Sequence, residues 1–271
     1  MKILITGGNG YIGKSLYNAF KDIHDITIIT RNDFDLTSCE DMSKFFQGKH
    51  FDVVLHTAAA GSNRLKTDSI NIMDINLTMY YNLLQHKSCY SKLIHDLCCN
   101  KSCYSKLIQF GSGAEIHDSE SPYGLSKRII AKSMLNMSNF YNIRIYGVFD
   151  ENELDTRFIK ANINRYINKE SMLIQNKKMS FFYMKDLITL VDYYIKHDSS
   201  KLLSTSICAY RNSVSLLDIA NMINELSDYK VPIHIDTVDV LNYESNLNAS
   251  YNLPYIGLVN SIQETYNKLI K

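Results

Sequence analysis

The chain has 271 residues, 45% of them hydrophobic and 21% charged, with a net charge of +1. That is the composition of an ordinary globular protein able to bury a real core, as one large domain or a domain with a smaller lobe. It offers no electrostatic case for nucleic acid or an anionic membrane surface, and no apolar run approaches the roughly 18 residues of a membrane span.

The first residues, MKILITGG, start a strand at once. Read this way they leave no room for a signal peptide, and the expected location is cytoplasmic, with reduced thiols. Lys2–Thr6 is a short apolar run bounded by glycines, as in a strand buried on both faces. Tyr11–Asp22 carries apolar residues at helical spacing, and Ile26–Ile29 is a second β-branched strand. Ser38–Phe46 reads as a helix, Phe51–His56 as a third strand, and Asp68–His86 as a long helix. Lys106–Phe110 is the next strand, Tyr123–Met137 a helix, and Tyr141–Tyr146 a strand. Strand and helix alternate, which predicts an α/β fold with a doubly wound parallel sheet. Beyond residue 150 the pattern loosens. Helices are expected over Arg157–Lys169, Lys185–His197, Ser215–Leu226 and Ile256–Leu269, with short strands near Leu173, Ser206 and Pro232–Ile235. Residues 1–150 thus read as the main domain, and 151–271 mainly as a smaller α/β lobe, part of which returns to the first.

Thr6-Gly7-Gly8-Asn9-Gly10-Tyr11-Ile12-Gly13 joins the first strand to the first helix. At this spacing one glycine permits the tight turn, one lets backbone approach a pyrophosphate, and one lets helix and strand pack closely. Backbone N–H groups at the helix N-terminus then hold the phosphates. The fold expected is therefore of the Rossmann, dinucleotide-binding type. The residue ending the second strand reads the adenosine ribose, an acid suiting a free 2′-hydroxyl and an arginine a 2′-phosphate. Here it is Thr30-Arg31-Asn32, which favours NADP(H); Asp33 and Asp35 keep NAD(H) open.

Tyr123 and Lys127 lie four apart and share one helical face, beyond a strand ending in Gly111-Ser112-Gly113. An ammonium beside a phenol favours phenolate and draws the tyrosine towards working pH. Pro122 suits the first helical turn, with Ser121 or Ser119 as its cap. His56, at the end of the third strand, reads as a packed core histidine, and Asp186 as the cap of the helix after it.

The octapeptide KSCYSKLI occurs at Lys87 and again at Lys101. The second copy runs into Ser112 and should be the fourth strand. Two copies fall short of the three or more that a solenoid needs, and removing residues 87–100 restores an ordinary helix-to-strand connection. The segment reads as a tandem duplication carried as a surface excursion, since added loop length costs little. The rival, with the first copy as the strand, would displace Ser112. The cysteines at 89, 98, 99 and 103 lack the paired rhythm of a zinc site, so no metal is expected.

Together these motifs resemble the extended short-chain dehydrogenase/reductase family of nucleotide-sugar epimerases, dehydratases and ketoreductases. TGGNGYIG is similar to its TGxxGxxG loop, which would put Gly7, Asn9, Gly10, Tyr11, Ile12 and Gly13 around the cofactor. The resemblance extends cofactor contacts to Asp35 and Leu36 near the adenine, to Ala58-Ala59-Ala60 after strand three, and to Asn76. It gives Ser112, Tyr123 and Lys127 catalytic roles, Lys127 and Tyr123 also facing the cofactor. SFFYMKDL (180–187) is similar to the family's RDFxYVxD segment, with Met179 in place of the arginine. ITRNDFDL and FDVVLHTAAAG most resemble GDP-fucose synthase and dTDP-4-dehydrorhamnose reductases. The implied partner is a nucleotide-diphosphate sugar. Arg157 is a candidate for its phosphates, with a solvated helix-face arginine as the alternative reading, and a homodimer is expected, for which a helical face including Tyr123–Met137 is a candidate surface. Three readings follow: an NADPH-dependent reductase of a nucleotide-linked 4-keto-6-deoxy sugar, an NAD-dependent 4-epimerase, or a non-catalytic dinucleotide sensor. Three departures bear on them. Ala114 stands where GDP-fucose synthase has a catalytic cysteine, Gly147 replaces the asparagine of R-x-x-N, and Ser112 and Tyr123 are only eleven apart, which predicts fewer substrate contacts.

Overall fold

A computed structural model describes residues 1–61, 69–87, 102–210, 214–236, 241–245, 247 and 250–271. The chain divides into two compact units, Met1–Arg144 with Tyr194–Ser206, and Ile145–Tyr193 with Ile207–Lys271.

The first unit is built on β1 (Lys2–Thr6), α1 (Tyr11–Phe20), β2 (Asp25–Ile29), α2 (Cys39–Phe46), β3 (Phe51–His56), α3 (Asn71–Gln85), β4 (Tyr104–Ser112), α4 (Ala114–His117), α5 (Pro122–Met134) and β5 (Phe140–Ile145). With β10 (Thr205–Cys208) the strands form a six-stranded sheet in the order β10-β5-β4-β3-β1-β2. The β1–β2, β1–β3 and β3–β4 ladders are parallel. Their apolar runs follow from burial on both faces: Ile3, Leu4, Ile5, Val53, Val54 and Leu55 are all 0% exposed. Register sets Thr6, His56 and Gln109 side by side, and β4 continues three residues further, to Ser112. From β1 the chain goes to β2 on one side, while β3 lies on the other, so the strand order reverses at β1. Ligands of open α/β sheets bind beyond the carboxyl ends of the strands at such a reversal.

Helix ends follow local chemistry. Ser38 caps α2 by accepting Asp41 N–H at 3.2 Å, and Ser121 caps α5 by accepting Gly124 N–H at 3.0 Å with Pro122 next to it. The core packs Met42 and Phe46 of α2, Met79 and Leu83 of α3, and Ile130 and Met134 of α5 against Leu4, Val54 and Leu107.

The second unit holds β6 (Val148–Phe149), α6 (Phe158–Ile167), β7 (Met172–Gln175), β8 (Lys178–Met179), β9 (Phe182–Tyr183), most of α7 (Met184–Lys196), β11 (Val214–Ser215), α8 (Leu216–Asn224), β12 (Ile233–Asp236) and α9 (Leu258–Leu269). Its strands join in pairs: β6 with β9, β7 with β12, and β8 with β11. Its own core gathers Ile159, Ile163, Tyr166, Ile219 and Ile223 with Ile262. Asp186 differs from its expected role. Its carboxylate accepts Ile256 N–H at 2.8 Å and Gly257 N–H at 3.1 Å, and the Tyr210 hydroxyl as well, so it anchors the start of α9. No helix among the described residues is long and apolar enough to cross a membrane.

The second octapeptide copy forms β4 from Tyr104 onward, which settles the strand against the rival reading. Of the proposed excursion, residues 87–100, all but Lys87 lie outside the described residues; because Lys87 and Lys101 are alike, deleting 88–101 gives the same chain as deleting 87–100. The residues flanking 88–101 are described, and they meet: Cys103 N–H donates to the His86 carbonyl at 3.0 Å. If Lys87 were joined directly to Ser102, this contact would be the i to i+3 bond of a β-turn. Deleting 88–101 is therefore expected to leave a folded protein melting within a few degrees of the parent. A deletion variant that is insoluble or lacks a cooperative melt would refute this.

Candidate active site

The glycine loop is shaped for close approach. Gly7 has φ +72°, a left-handed conformation that favours glycine. A Cβ on Gly13 would lie 2.6 Å from the Gly7 carbonyl oxygen and 2.9 Å from Thr57 Oγ1, so α1 reaches the strand ends only because the side chain is absent. Gly7 and Gly8 N–H groups donate to the Ile29 carbonyl, which ties the loop to the end of β2. Asn9 and Gly10 are exposed, while Tyr11 and Ile12 are half-buried. This cradle fits a dinucleotide pyrophosphate at the N-terminus of α1.

Beyond β2, Arg31 and Asp35 are exposed and Leu36 is buried. Asp33 accepts from Thr30 N–H and Thr30 Oγ1, both at 2.8 Å, and these bonds hold its carboxyl below the usual range. Its charge is thus committed to the turn, with Arg31 standing out from it. Leu36 sits in the core and its carbonyl accepts Asn82 Nδ2 at 2.9 Å.

Ala58 is half-buried, Ala59 exposed and Ala60 buried. Asn76 uses both amide atoms here: its Oδ1 accepts Ala60 N–H at 2.8 Å, and its Nδ2 donates to the Ala60 carbonyl at 3.0 Å and to Ser126 Oγ at 3.1 Å. Ser126 in turn donates to the Tyr123 carbonyl at 2.7 Å. Asn76 therefore links the turn after β3 to the start of α5 through side-chain bonds. Ser126 was not singled out from sequence, although it lies within YGLSK.

Lys127 is 4% exposed and donates to the Phe110 carbonyl at 2.9 Å, on the strand that ends at Ser112. Its Nζ lies 5.7 Å from the Tyr123 ring centroid. Tyr123 is half-buried and Ser112 buried. Ser112 Oγ accepts Ala114 N–H at 3.2 Å. The short Ser112–Tyr123 connection is compact: α4 takes one turn and packs on α5, where a Cβ on Gly124 would lie 1.9 Å from the Asp118 carbonyl. His56 is 1% exposed and paired with Thr6 Oγ1 at 2.7 Å, and burial pulls it down to about 3, so it is neutral. In the second unit, Arg157 is the N-cap residue of α6, and its charge acts on the buried Glu153 carboxyl. Among the described residues no group of His, Cys, Asp and Glu could hold a metal ion.

Burial lowers Lys127 from 10.5 to about 8. A lysine depressed in the folded state makes stability rise with pH between those values: the penalty is complete below about 8 and gone above about 10.5. At about 1.4 kcal/mol per unit it is of the order of 3 kcal/mol. Lys127→Met is expected to raise the melting temperature of the ligand-free protein at pH 7, by a margin that shrinks towards pH 10. Melts showing equal margins at both pH values would contradict this.

These features define a doubly wound α/β fold with a glycine turn before α1 and an ammonium, Lys127, 5.7 Å from the ring of Tyr123 on α5. The chain belongs to the NAD dependent epimerase/dehydratase family, whose profile matches residues 3–205. It is accordingly an NAD(P)-dependent enzyme of the extended short-chain dehydrogenase/reductase type, a class that modifies nucleotide sugars. It is 23% identical over 249 residues to CDP-abequose synthase of Yersinia pseudotuberculosis, covering 84% of this chain and 85% of that one. Its fold is similar to a GDP-mannoheptose C4 reductase from Campylobacter jejuni with NADP bound, at TM-score 0.77 and 15% identity over 100% of this chain and 98% of that one. It is also similar to UDP-glucose 4-epimerase of Thermotoga maritima, at TM-score 0.76 and 15% identity over the whole of both chains.

Proposed function

We propose that the chain is an NADPH-dependent reductase of a nucleotide-linked 4-keto-6-deoxy sugar. The observation that carries this reading is the buried Lys127 ammonium, bonded to the Phe110 carbonyl and lying under the Tyr123 ring, on the strand and helix that also carry Ser112. The likeness to a C4 reductase with NADP bound supports it, as does Arg31, exposed beside a Thr30–Asp33 turn whose acid is already satisfied. The pyrophosphate would rest on the Gly7–Gly13 loop and the 2′-phosphate on Arg31. Ala58, Ala59 and Ala60 would line the nicotinamide side and Asp35 the adenine side. Asn76 would act at one remove, by fixing Ala60 and α5.

NADPH supplies the hydride when bound. Tyr123 donates the phenol proton to the keto oxygen as general acid. Lys127 holds ribose hydroxyls and favours the phenolate left behind. Ser112 orients the carbonyl oxygen, which places the substrate for reaction. Arg157 would be the residue that meets a phosphate of the sugar nucleotide. Ala114 supplies no thiol for the epimerisation route of GDP-fucose synthase, which favours simple reduction.

The test is a thermal-shift panel of NADPH, NADH and nucleoside diphosphates, followed by mixing with nucleotide-linked 4-keto-6-deoxy sugars. A ligand that binds only the folded form raises its melting temperature. A larger shift with NADPH than NADH is expected, with NADPH absorbance lost in proportion to sugar reduced. Nicotinamide retained through purification, without net NADPH loss, would move the assignment to a 4-epimerase.

A further inference from the structure

Glu115 is 4% exposed, and a buried carboxylate is costly unless charge and hydrogen bonds compensate it. The compensation here is extensive. Oε1 accepts Ser112 N–H at 2.9 Å and Asn142 Nδ2 at 3.3 Å. Oε2 accepts Arg144 Nε at 2.9 Å, with Arg144 Nη2 at 2.8 Å. Gly111 makes room, since a Cβ there would lie 2.2 Å from Oε1. Gly111, Asn142 and Arg144 are thus all shaped around one carboxylate, where an apolar side chain would hold a one-turn helix at less cost.

The location gives that carboxylate a use. It binds the main chain of Ser112, whose Oγ is fixed in turn by Ala114 N–H. Lys127 Nζ bonds the Phe110 carbonyl, one peptide before the Gly111–Ser112 main chain against which Glu115 Oε1 packs, so the two opposite charges hold the same stretch of β4 and attract each other. The other groups around Lys127 do not substitute for Glu115. His56 on β3 is neutral, Tyr123 is on the same helix, and Arg144 on β5 is cationic. Arg128 and Lys132, further along α5, share a cleft of about 470 Å³ with Glu115 and Arg144 and are also cationic.

We propose that Glu115 is a positioning residue for the reaction: it sets the main chain that carries the Ser112 hydroxyl, and its charge is coupled to the Lys127 ammonium across the Phe110–Ser112 stretch of β4 that both side chains hold. The catalytic half of this rests on the reductase reading; the coupling of Glu115 to Lys127 does not.

Two variants separate the roles. E115Q keeps an acceptor for Ser112 N–H but removes the charge, leaving Arg144 unbalanced. The alkaline limb of its kcat/KM profile should move down by on the order of one pH unit. E115D keeps the charge but withdraws it from Ser112, so the limb stays and kcat falls roughly tenfold or more. A thermodynamic cycle of E115Q and K127M needs no turnover. In ligand-free melts at pH 7, K127M should raise the melting temperature more in the E115Q background than in the parent, because the ammonium there has lost its compensating charge. If E115Q does not fold, E115M/R144M fills the site with an apolar pair and serves in the same cycle. Additive melts overturn the proposal whatever the rates show. If the parent turns over no sugar while the melts are non-additive, the reductase reading falls and the Glu115–Lys127 coupling stands.

Discussion

Replacing Tyr123 by Phe is expected to lower kcat by about 10²- to 10⁴-fold, the usual contribution of a general acid, while the NADPH-induced thermal shift is unchanged. The side chain is half-buried, and its main chain is tied through Ser126 to Asn76. Phe keeps the ring over Lys127 and removes only the hydroxyl. Stability should accordingly be near that of the parent, and the loss should appear in kcat rather than KM. Single-turnover kinetics with pre-bound NADPH would isolate the chemical step. A variant that matches the parent in every assay while still binding NADPH would make the chain a dinucleotide sensor and not an enzyme acting through this residue.

The second large effect is expected at Gly13. Gly13→Val places methyl groups where a bare Cβ already lies 2.6 Å from the Gly7 carbonyl oxygen and 2.9 Å from Thr57 Oγ1. Both neighbours belong to the ends of β1 and β3 or the turns after them, so α1 must move away from the sheet. Overpacking of this kind costs about 1–3 kcal/mol, but the functional loss should be larger, because the N–H groups at the start of α1 would move from where the proposed cofactor's pyrophosphate would rest. The NADPH-induced shift should vanish. Gly48→Ala is the matched control: Gly48 has φ +69° with nothing within 4 Å of a new Cβ. It carries backbone strain of about 1–2 kcal/mol and should keep the full NADPH shift. Equal NADPH shifts in the Gly13 variant and the control would mean that the loop does not hold the cofactor.

Much of the first unit was legible because its signals are local. KILIT and FDVVLH are uninterrupted apolar runs, and they form β1 and β3 with only the bounds that burial on both faces requires. Ser121-Pro122 marks the start of α5 because capping acts within one turn. The long helix was expected over Asp68–His86 and runs over Asn71–Gln85, and the fourth strand begins two residues earlier than Lys106 and ends two later than Phe110. Such ends depend on neighbours and not on periodicity. The two-residue strands β6, β8, β9 and β11 carry too few side chains to show any period. Their partners lie far along the chain, as Val148 opposite Phe182 and Met179 opposite Val214 illustrate.

The site divides in the same way. The amino-acid order alone determined the glycine loop, the Tyr123–Lys127 spacing and the identity of the strand that ends at Ser112, because each is a short-range pattern tied to backbone geometry. Tertiary structure alone decided that Asp186 secures α9, that Asn76 serves Ala60 and Ser126, and that Asn142 and Arg144 close around Glu115. A buried polar side chain is stable only with partners, and those partners come from segments 16 to 71 residues away. No window of sequence contains both halves of such a bond.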